Sequence, residues 1–248
     1  MSRITAIETA IPAAIMPNLI LVRIHTEDGR IGCGETYYTP HAIEGMIHDW
    51  MAERLLGADA TDIESHWRFL YERCTAFGAP GAEMRALSAI DVALWDILGQ
   101  VCGQPVWKLL GGAVQRRVRI YNTCGGPGYG ALQGSAPQIA KHPGWPGYGD
   151  EGKLGPLQDN WSSFHAAGDL AEELVAEGIA GMKVWPFDRF VHQSVRAHIR
   201  TFYDRLIDRQ PIIEQGYLVA PTDPGLGTSY LPHIFQPGQN KFRRSQVS

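Results

Sequence analysis

Carboxylate side chains are the residues of this sequence with the clearest capacity for chemistry, because small groups of them bind hard cations through oxygen. Downstream of Lys183 the acidic residues are Asp188, Asp204, Asp208, Glu214 and Asp223. Asp204 and Asp208 lie four residues apart, and the pattern of Val195 to Ile207 predicts a helix there. They therefore share one helical face, and a solvated face explains the pair better than a metal site does.

Histidine and cysteine give no second candidate for metal chemistry. The nine histidines contain no H-E-x-x-H arrangement, and the four cysteines, at positions 33, 74, 102 and 124, form no C-x-x-C pair. The sequence therefore predicts no zinc site. The widely spaced cysteines are typical of reduced thiols in a cytoplasmic protein.

The first third of the chain has the pattern of a small α+β domain. The predicted strands cover residues 4–13, 19–26 and 31–35, and the predicted helices cover about 40–56 and 62–74. Gly29 supplies the positive φ that a tight turn between the second and third strands needs. Asp62 is placed to cap the second helix. These elements predict an antiparallel meander followed by helices.

The stretch from Ala86 to Gly111 carries the strongest pattern in the chain. Hydrophobic residues recur there at helical spacing, namely Leu87, Leu94, Ile97, Leu98 and Val101. The small residues that allow a neighbouring element to approach closely are Ser88, Ala89 and Ala93. Gly103 and Pro105 end the helix. Periodicity alone indicates a buried amphipathic helix.

The order of small, acidic and Gly-Gln-Pro positions in this stretch resembles the helix that closes the N-terminal capping domain in the mandelate racemase and muconate lactonizing branch of the enolase superfamily. Gly32-Cys-Gly-Glu35 is similar to the same cap, and Pro224-Gly-Leu-Gly-Thr228 to the segment by which the family's C-terminus returns to it. The resemblance covers roughly residues 1–232. It implies an α+β N-terminal capping domain, with a three-stranded antiparallel meander plus helices, followed by a truncated (β/α) barrel remnant.

The resemblance implies four segments. They are a capping domain at 1–112, the first two βα units of a modified TIM barrel at 113–190, a C-terminal segment returning to the cap at 191–232, and a polar tail at 233–248, which we expect to be frayed. The barrel segments are a strand at 117–124, a helix at 168–177 and a strand at 181–185. Arg117 to Phe190 spans about 74 residues, whereas an eight-stranded barrel takes roughly 200 or more. Most of the barrel is therefore missing.

The family's chemistry is Mg²⁺-dependent abstraction of a proton α to a carboxylate, as in an acid-sugar dehydratase, racemase or cycloisomerase. Three carboxylates on successive strand ends hold the metal in the family, and this sequence offers no counterpart for them. The frequent His-Asp acid or base pair is also absent, since neither His192 nor His198 stands at a strand end. Lys183 matches the first, assisting lysine of the family's Lys-x-Lys strand, and Trp185 stands where the second lysine commonly acts as base. Lys183 is alternatively a lone lysine that points to solvent at a sheet edge.

Two cap loops select the substrate in the family, and by resemblance they lie at about 13–18 and 36–41. Asn18, Tyr37, Tyr38 and His41 are the expected substrate contacts from these loops. Asn122 and Thr123 end the first barrel strand and face the same mouth, as does the long loop at about 125–164. The aromatic residues alternatively anchor their loop against the core.

Composition limits the partners. The chain has 248 residues, of which 44% are hydrophobic, so it buries a real core in one or two domains. A formal net charge of −4 gives no basic surface for nucleic acid. No apolar run is long enough to span a membrane and the start lacks a signal peptide pattern, so we expect a cytoplasmic protein. The expected partners are a small-molecule sugar acid and further copies of the chain, as homo-oligomer or aggregate, because a two-strand remnant exposes apolar edges.

Three hypotheses follow from these observations. The chain is a working Mg²⁺-dependent enzyme, a shortened and inactive relative that persists as an interaction module, or a damaged product without function. The missing barrel strands and metal ligands favour family membership without activity in this chain.

Overall fold

The computed structural model describes residues 2–13, 18–76, 78, 80–124, 159, 162–163, 166–183, 206–209, 212–214, 217–236 and 241–247. The chain forms two compact units. The first unit comprises residues 1–113, 206–209 and 221–248, and the second unit comprises residues 114–205 and 210–220. None of the described helices is both long and apolar enough to cross a membrane.

The first unit contains a four-stranded sheet and a layer of helices. Its strands are β1 (Ile4–Ile11), β2 (Leu19–Thr26), β3 (Ile31–Tyr37) and β7 (Lys241–Gln246). Its helices are α1 (Pro40–Met46), a π-helical segment (Ile47–Met51), α2 (Ala52–Leu55), α3 (Ile63–Cys74), α4 (Ala82–Cys102), α5 (Val106–Leu109) and a 3₁₀ helix (Pro232–Phe235). Asp62 occupies the N-cap position of α3, but its side chain makes no capping hydrogen bond.

The sheet has the strand order β3-β2-β1-β7 with antiparallel pairing throughout. The predicted three-stranded meander is confirmed, and Gly29 adopts a φ of 83° in its turn. The expectation of a frayed tail is wrong for residues 241–246, because they pair with β1 from Ala6↔Gln246 to Ile11↔Lys241. The polar composition of this segment hid a strand that lies at an edge with most side chains exposed.

Helix α4 packs against β3 at unusually short range. A Cβ added to Gly32 would lie 2.1 Å from the carbonyl oxygen of Ala93, and one added to Gly34 would lie 2.0 Å from that of Ala89. The small residues predicted to permit a close approach therefore meet two glycines. Leu87, Leu94 and Ile97 are buried as expected, whereas Val101 in the last turn is exposed. Gly103 ends the helix with a φ of 60°.

Residues 221–236 attach to the first unit through Asp96 and Tyr230. The Asp96 carboxylate, buried on α4, accepts the backbone N–H of Leu226 at 2.9 Å and that of Cys33 at 2.9 Å. The Tyr230 hydroxyl donates to the carbonyl of Gly34 at 2.8 Å. Ile207 forms an antiparallel bridge with Tyr230, so it does not end the helix predicted from Val195. The rest of that predicted helix lies outside the described residues.

The second unit contains α6 (Ala167–Ala176) and a small antiparallel sheet of order β4-β6-β5. Its strands are β4 (Arg117–Arg119), β5 (Ile213–Glu214) and β6 (Tyr217–Val219). The predicted strand 117–124 is regular only at its start, and Asn122 then forms a parallel bridge with Met182. This pairing is parallel, as expected for successive strands of a barrel remnant. Within the expected returning segment, residues 206–209 and 221–232 belong to the first unit, whereas residues 217–219 pair with β4 of the second unit.

Candidate functional site

The first unit places Asn18, Tyr37 and Tyr38 together where β2 begins and β3 ends. Leu19 and Tyr37 are register partners, and the carbonyl of Asn18 accepts the backbone N–H of Tyr38 at 2.9 Å. Asn18 is 1% exposed. Its side-chain oxygen and nitrogen have no hydrogen-bond partner among the residues that the structure describes. A buried amide without partners costs free energy.

The backbone is strained at the end of β3. Tyr38 has a φ of 68° and Thr39 a φ of 48°, in the left-handed region that non-glycine residues seldom adopt. Arg85 holds this turn, because it donates to the carbonyl of Tyr37 at 3.0 Å and its guanidinium lies 5.1 Å from the centre of the Tyr38 ring. Strain that is held in place by neighbours is typical of functional loops.

The two tyrosines differ in environment. Burial, together with the charges of Glu35 and Tyr38, raises the pKa of Tyr37 to about 12. Tyr37 therefore remains a neutral phenol at physiological pH. Tyr38 is 37% exposed, and its ring centre lies 6.4 Å from that of Tyr37. The Tyr38 side chain is thus exposed to solvent, whereas the Tyr37 side chain is more deeply buried and anchors the loop.

His41 is exposed and turns towards the sheet edge. Its Nδ1 lies 3.1 Å from the Nζ of Lys241 on β7. A contact with β7 competes with the substrate role expected for His41. The substrate role of His41 therefore stays a prediction.

The second unit places Asn122 in a buried polar cluster. The Asn122 amide donates to a carboxylate oxygen of Asp159 at 2.8 Å, and its Nδ2 lies 3.7 Å from the sulfur of Cys124. Asn122 and Asp159 are both buried. Burial and the nearby Asp159 charge raise the pKa of the Cys124 thiol to about 12, so this thiol stays protonated and unreactive. The hydrogen bond to Asp159 fixes the orientation of the Asn122 amide.

Lys183 directly follows Met182, which forms the parallel bridge with Asn122. The backbone N–H of Lys183 donates to the carbonyl of Asn122 at 2.7 Å, and the N–H of Asn122 donates to Gly181 at 2.9 Å. Lys183 and Thr123 are both partly buried. The structure thus brings Lys183 and Asn122 onto neighbouring segments, as the sequence predicts for two strand ends.

The predicted site residues fall into two groups, one in each unit. Asn18, Tyr37, Tyr38 and His41 belong to the first unit, and Asn122, Thr123 and Lys183 belong to the second. Sequence reasoning missed Arg85 and Asp159. Arg85 directly precedes the recognised helix stretch, and it is one of several charged residues on α4, so its charge gave no distinct signal. Asp159 falls in a stretch of sequence without periodicity, so no sequence signal identified it.

No group of three or more His, Cys, Asp or Glu side chains suited to a metal ion occurs within the described ranges. Asp208 accepts the N–H of Ser229 at 2.8 Å and the hydroxyl of Thr228 at 3.1 Å, so it binds a turn of the first unit. Trp185, Asp188, His192, His198 and Asp204 lie outside the described residues.

Residues 2–111 match the family model of the mandelate racemase / muconate lactonizing enzyme N-terminal domain. Over 111 residues the chain is 40% identical to D-mannonate dehydratase CC0532 of Caulobacter vibrioides, which corresponds to 44% of this chain and 27% of that relative. The aligned region thus spans about a quarter of the relative's length.

Solved structures of enolase-superfamily proteins share the fold of this chain. An enolase protein from Sargasso Sea environmental sequencing aligns over 100% of both chains with a TM-score of 0.67 and 25% identity. L-talarate dehydratase from Polaromonas sp. JS666, complexed with Mg and L-glucarate, shares the fold with a TM-score of 0.61 at 18% identity over 100% of both chains. Residues 2–111 of this chain are therefore similar to the N-terminal domain of the mandelate racemase / muconate lactonizing enzyme family.

Proposed function

We propose that the first unit is a recognition cap for a sugar acid and that this chain, by itself, does not turn the sugar acid over. The observation that carries the proposal is the buried Asn18 amide, which presents an acceptor and a donor without partners among the described residues, beside the strained turn at Tyr38. A sugar hydroxyl both donates and accepts a hydrogen bond, so it satisfies both atoms of such an amide.

The substrate class follows from the relatives. One relative is named a D-mannonate dehydratase and another a D-galactonate dehydratase family member, the latter 39% identical over 111 residues. Both names denote sugar acids, which carry several hydroxyl groups next to a carboxylate. We therefore propose an aldonic acid of this kind as the ligand, with Asn18 and Tyr38 contacting hydroxyls.

The family reaction requires Mg²⁺ to stabilise the enediolate that forms when the α proton leaves. The described residues do not fit that ion, because they assemble no set of oxygen ligands for it. We derive no step through the metal for this chain. Lys183 keeps only the electrostatic assisting role that the resemblance implies, because a positive charge favours a carboxylate ligand.

The number of residues between Ala113 and Pro221 supports the proposal that this chain does not turn the sugar acid over. Both Ala113 and Pro221 belong to the first unit, and about 100 residues of the second unit separate them, against the roughly 200 or more that an eight-stranded barrel takes. The eight strand ends that carry the family's catalytic groups therefore do not fit between them.

Thermal unfolding with and without sugar acid tests the proposal, because a ligand that binds only the folded state raises the melting temperature. We expect a saturable rise with D-mannonate or D-galactonate, and no formation of the 2-keto-3-deoxy acid, with or without Mg²⁺. A melting temperature indifferent to both acids contradicts the recognition role. Product formation contradicts the absence of turnover. It would indicate that metal ligands lie among the residues outside the described ranges.

A second candidate function is a non-catalytic interaction module. The second unit exposes large apolar side chains, with Val118 and Tyr121 each 55% exposed and Ile212 59% exposed. Such residues mark contact surfaces when they cluster. Self-association without any response to sugar acids favours this candidate over the recognition cap.

A further inference from the structure

Strand β7 buries few apolar side chains against the rest of the first unit. Its sequence is Lys-Phe-Arg-Arg-Ser-Gln, and only Phe242 and Ser245 are partly buried. The Phe242 ring meets Phe235 edge-on, with centroids 6.3 Å apart. One aromatic contact is little apolar burial for a whole strand, so backbone pairing with β1 and the charged side chains supply most of the attachment.

Each cationic side chain of β7 has a carboxylate partner elsewhere in the first unit. Arg244 lies 2.9 Å from Glu8 of β1, and Lys241 lies 2.6 Å from Glu44 of α1. Arg243 pairs with Asp49 of the π-helical segment. The Glu8 and Glu44 side chains are only 7% and 6% exposed, so their negative charges need these partners.

His48 connects the two strands from the π-helical segment. One ring nitrogen, Nε2, lies 2.9 Å from the Thr9 hydroxyl on β1, and the other, Nδ1, lies 2.7 Å from the Ser245 hydroxyl on β7. The ring is buried. Burial, together with the charge of Arg243, lowers the pKa of His48 to about 4, although the charges of Glu44 and Asp49 act in the opposite direction.

A second histidine faces the same region from β2. His25 lies 2.9 Å from a carboxylate oxygen of Glu8, on the same carboxylate that binds Arg244. Burial raises the pKa of Glu8, but the hydrogen bond and charge of His25 and the charges of Arg244 and Arg23 outweigh it, so the net shift is downward. Glu8 is therefore ionised throughout the physiological range.

We infer that β7 is a releasable strand, which detaches from β1 at high salt or on mild acidification while the β1-β2-β3 meander stays folded. Salt screens the three ion pairs, and the Debye length falls from about 10 Å at about 0.1 M to about 3 Å at about 1 M. Release hydrates His48, which then binds a proton near its ordinary pKa. The unpaired edge of β1 becomes available to another strand.

The direction of the pH effect follows from linkage. His48 has a lower pKa in the attached state than in water, so the released state binds more protons below its ordinary value of 6.5. The equilibrium constant for release consequently rises as the pH falls from about 7 to about 5, by on the order of tenfold or more if His48 becomes fully hydrated. Glu8 adds to this effect only below its ordinary pKa of 4.5, because its attached-state pKa is lower still.

Hydrogen exchange measured by mass spectrometry on the full chain tests the inference. We expect the protection factor of the 241–247 peptide to fall several-fold between about 0.1 M and about 1 M salt, and again between about pH 7 and about pH 5. The 19–26 peptide of β2 should keep its protection. Equal protection of the two peptides under every condition, or a 241–247 peptide indifferent to salt and pH, overturns the inference.

Two variants separate the role of His48 from general acid effects. His48→Gln keeps hydrogen-bonding atoms near Thr9 and Ser245 but does not titrate, so we expect its salt response to persist and its pH response to disappear. His66→Gln is the matched control, because His66 is 2% exposed in the same unit and its Nε2 contacts the carbonyl of Asp59. A pH response that survives in His48→Gln contradicts the assignment. If His48→Gln does not fold, the effect of salt on the 241–247 and 19–26 peptides of the unaltered chain still tests whether β7 is released.

Discussion

The carboxylate of Asp96 accepts the backbone N–H of Leu226 at 2.9 Å, which joins two residues separated by 130 positions. Its other oxygen accepts the N–H of Cys33 on β3 at 2.9 Å. Burial raises the pKa of Asp96, although both backbone N–H groups and Gln100 favour its charged form. One side chain on α4 therefore holds both the central sheet and the returning segment.

Asp96→Asn should destabilise the first unit. The amide keeps one acceptor, but its nitrogen faces a backbone N–H and leaves that donor buried without a partner, at a cost of about 1 to 3 kcal/mol. Urea unfolding measures the change. Asp91→Asn is the control on the same helix, because burial and the charge of Glu64 raise the pKa of Asp91 without an opposing hydrogen bond among the described residues, so neutralising it leaves no donor unpaired. Equal losses in the two variants would falsify this role for Asp96.

Gly225→Ala should destabilise more than Gly29→Ala. Both glycines have positive φ, 70° and 83°, so both substitutions carry a backbone strain of about 1 kcal/mol. A Cβ at position 225 would lie 2.0 Å from a carboxylate oxygen of Asp96, whereas a Cβ at position 29 meets nothing within 4 Å. The difference between the two midpoints in urea isolates the steric cost. Matching midpoints contradict a tight fit of the returning segment against α4.

Glu8→Gln should lower stability at neutral pH and flatten the acid limb of the stability curve. The folded-state pKa of Glu8 is lowered, so its contribution is present above the ordinary value of 4.5 and disappears as the pH falls through the folded-state pKa. Breaking a fully buried pair costs about 3 to 5 kcal/mol, and we expect a smaller loss here because the Arg244 side chain is 44% exposed. Glu72→Gln is the control, because the Glu72 side chain is 62% exposed beside Arg68 and should change stability by less than about 0.5 kcal/mol. Unfolding at a series of pH values distinguishes the two variants.

Asn18→Leu should separate binding from stability. Replacing a buried amide that lacks partners among the described residues with an apolar side chain of similar size should leave the free energy of unfolding unchanged or raise it by about 1 kcal/mol. The rise in melting temperature caused by a sugar acid should disappear. A strongly destabilised variant indicates instead that the Asn18 amide is part of the structural core.

The purified chain should elute from sizing chromatography as oligomers or aggregates. The exposed apolar side chains of the second unit favour contacts between copies. Replacing Val118 and Ile212 with threonine should shift the distribution towards smaller species. A sharp monomer peak for the unaltered chain contradicts this prediction.

The sequence alone determined the cap. Hydrophobic periodicity, Gly29 in a turn and the small residues of α4 are local signals, and each acts within one element or between neighbours in the chain, so the meander and the helices were predictable. The resemblance carried by residues 86–111 pointed to the N-terminal domain that residues 2–111 match. The close packing of α4 on Gly32 and Gly34 restricts which residue types fit there.

Only the tertiary structure decided which distant groups meet. The pairing of β7 with β1 depends on Glu8, Glu44 and Asp49, which lie about 200 positions away from the cations they bind, and a polar hexapeptide carries no local signal for such a strand. The hydrogen bond between Asn122 and Asp159 likewise joins residues 37 positions apart, and the sequence between them has no periodicity. Charge pairing and buried polar contacts act through space, so their partners are set by the packed fold and not by the order of residues along the chain.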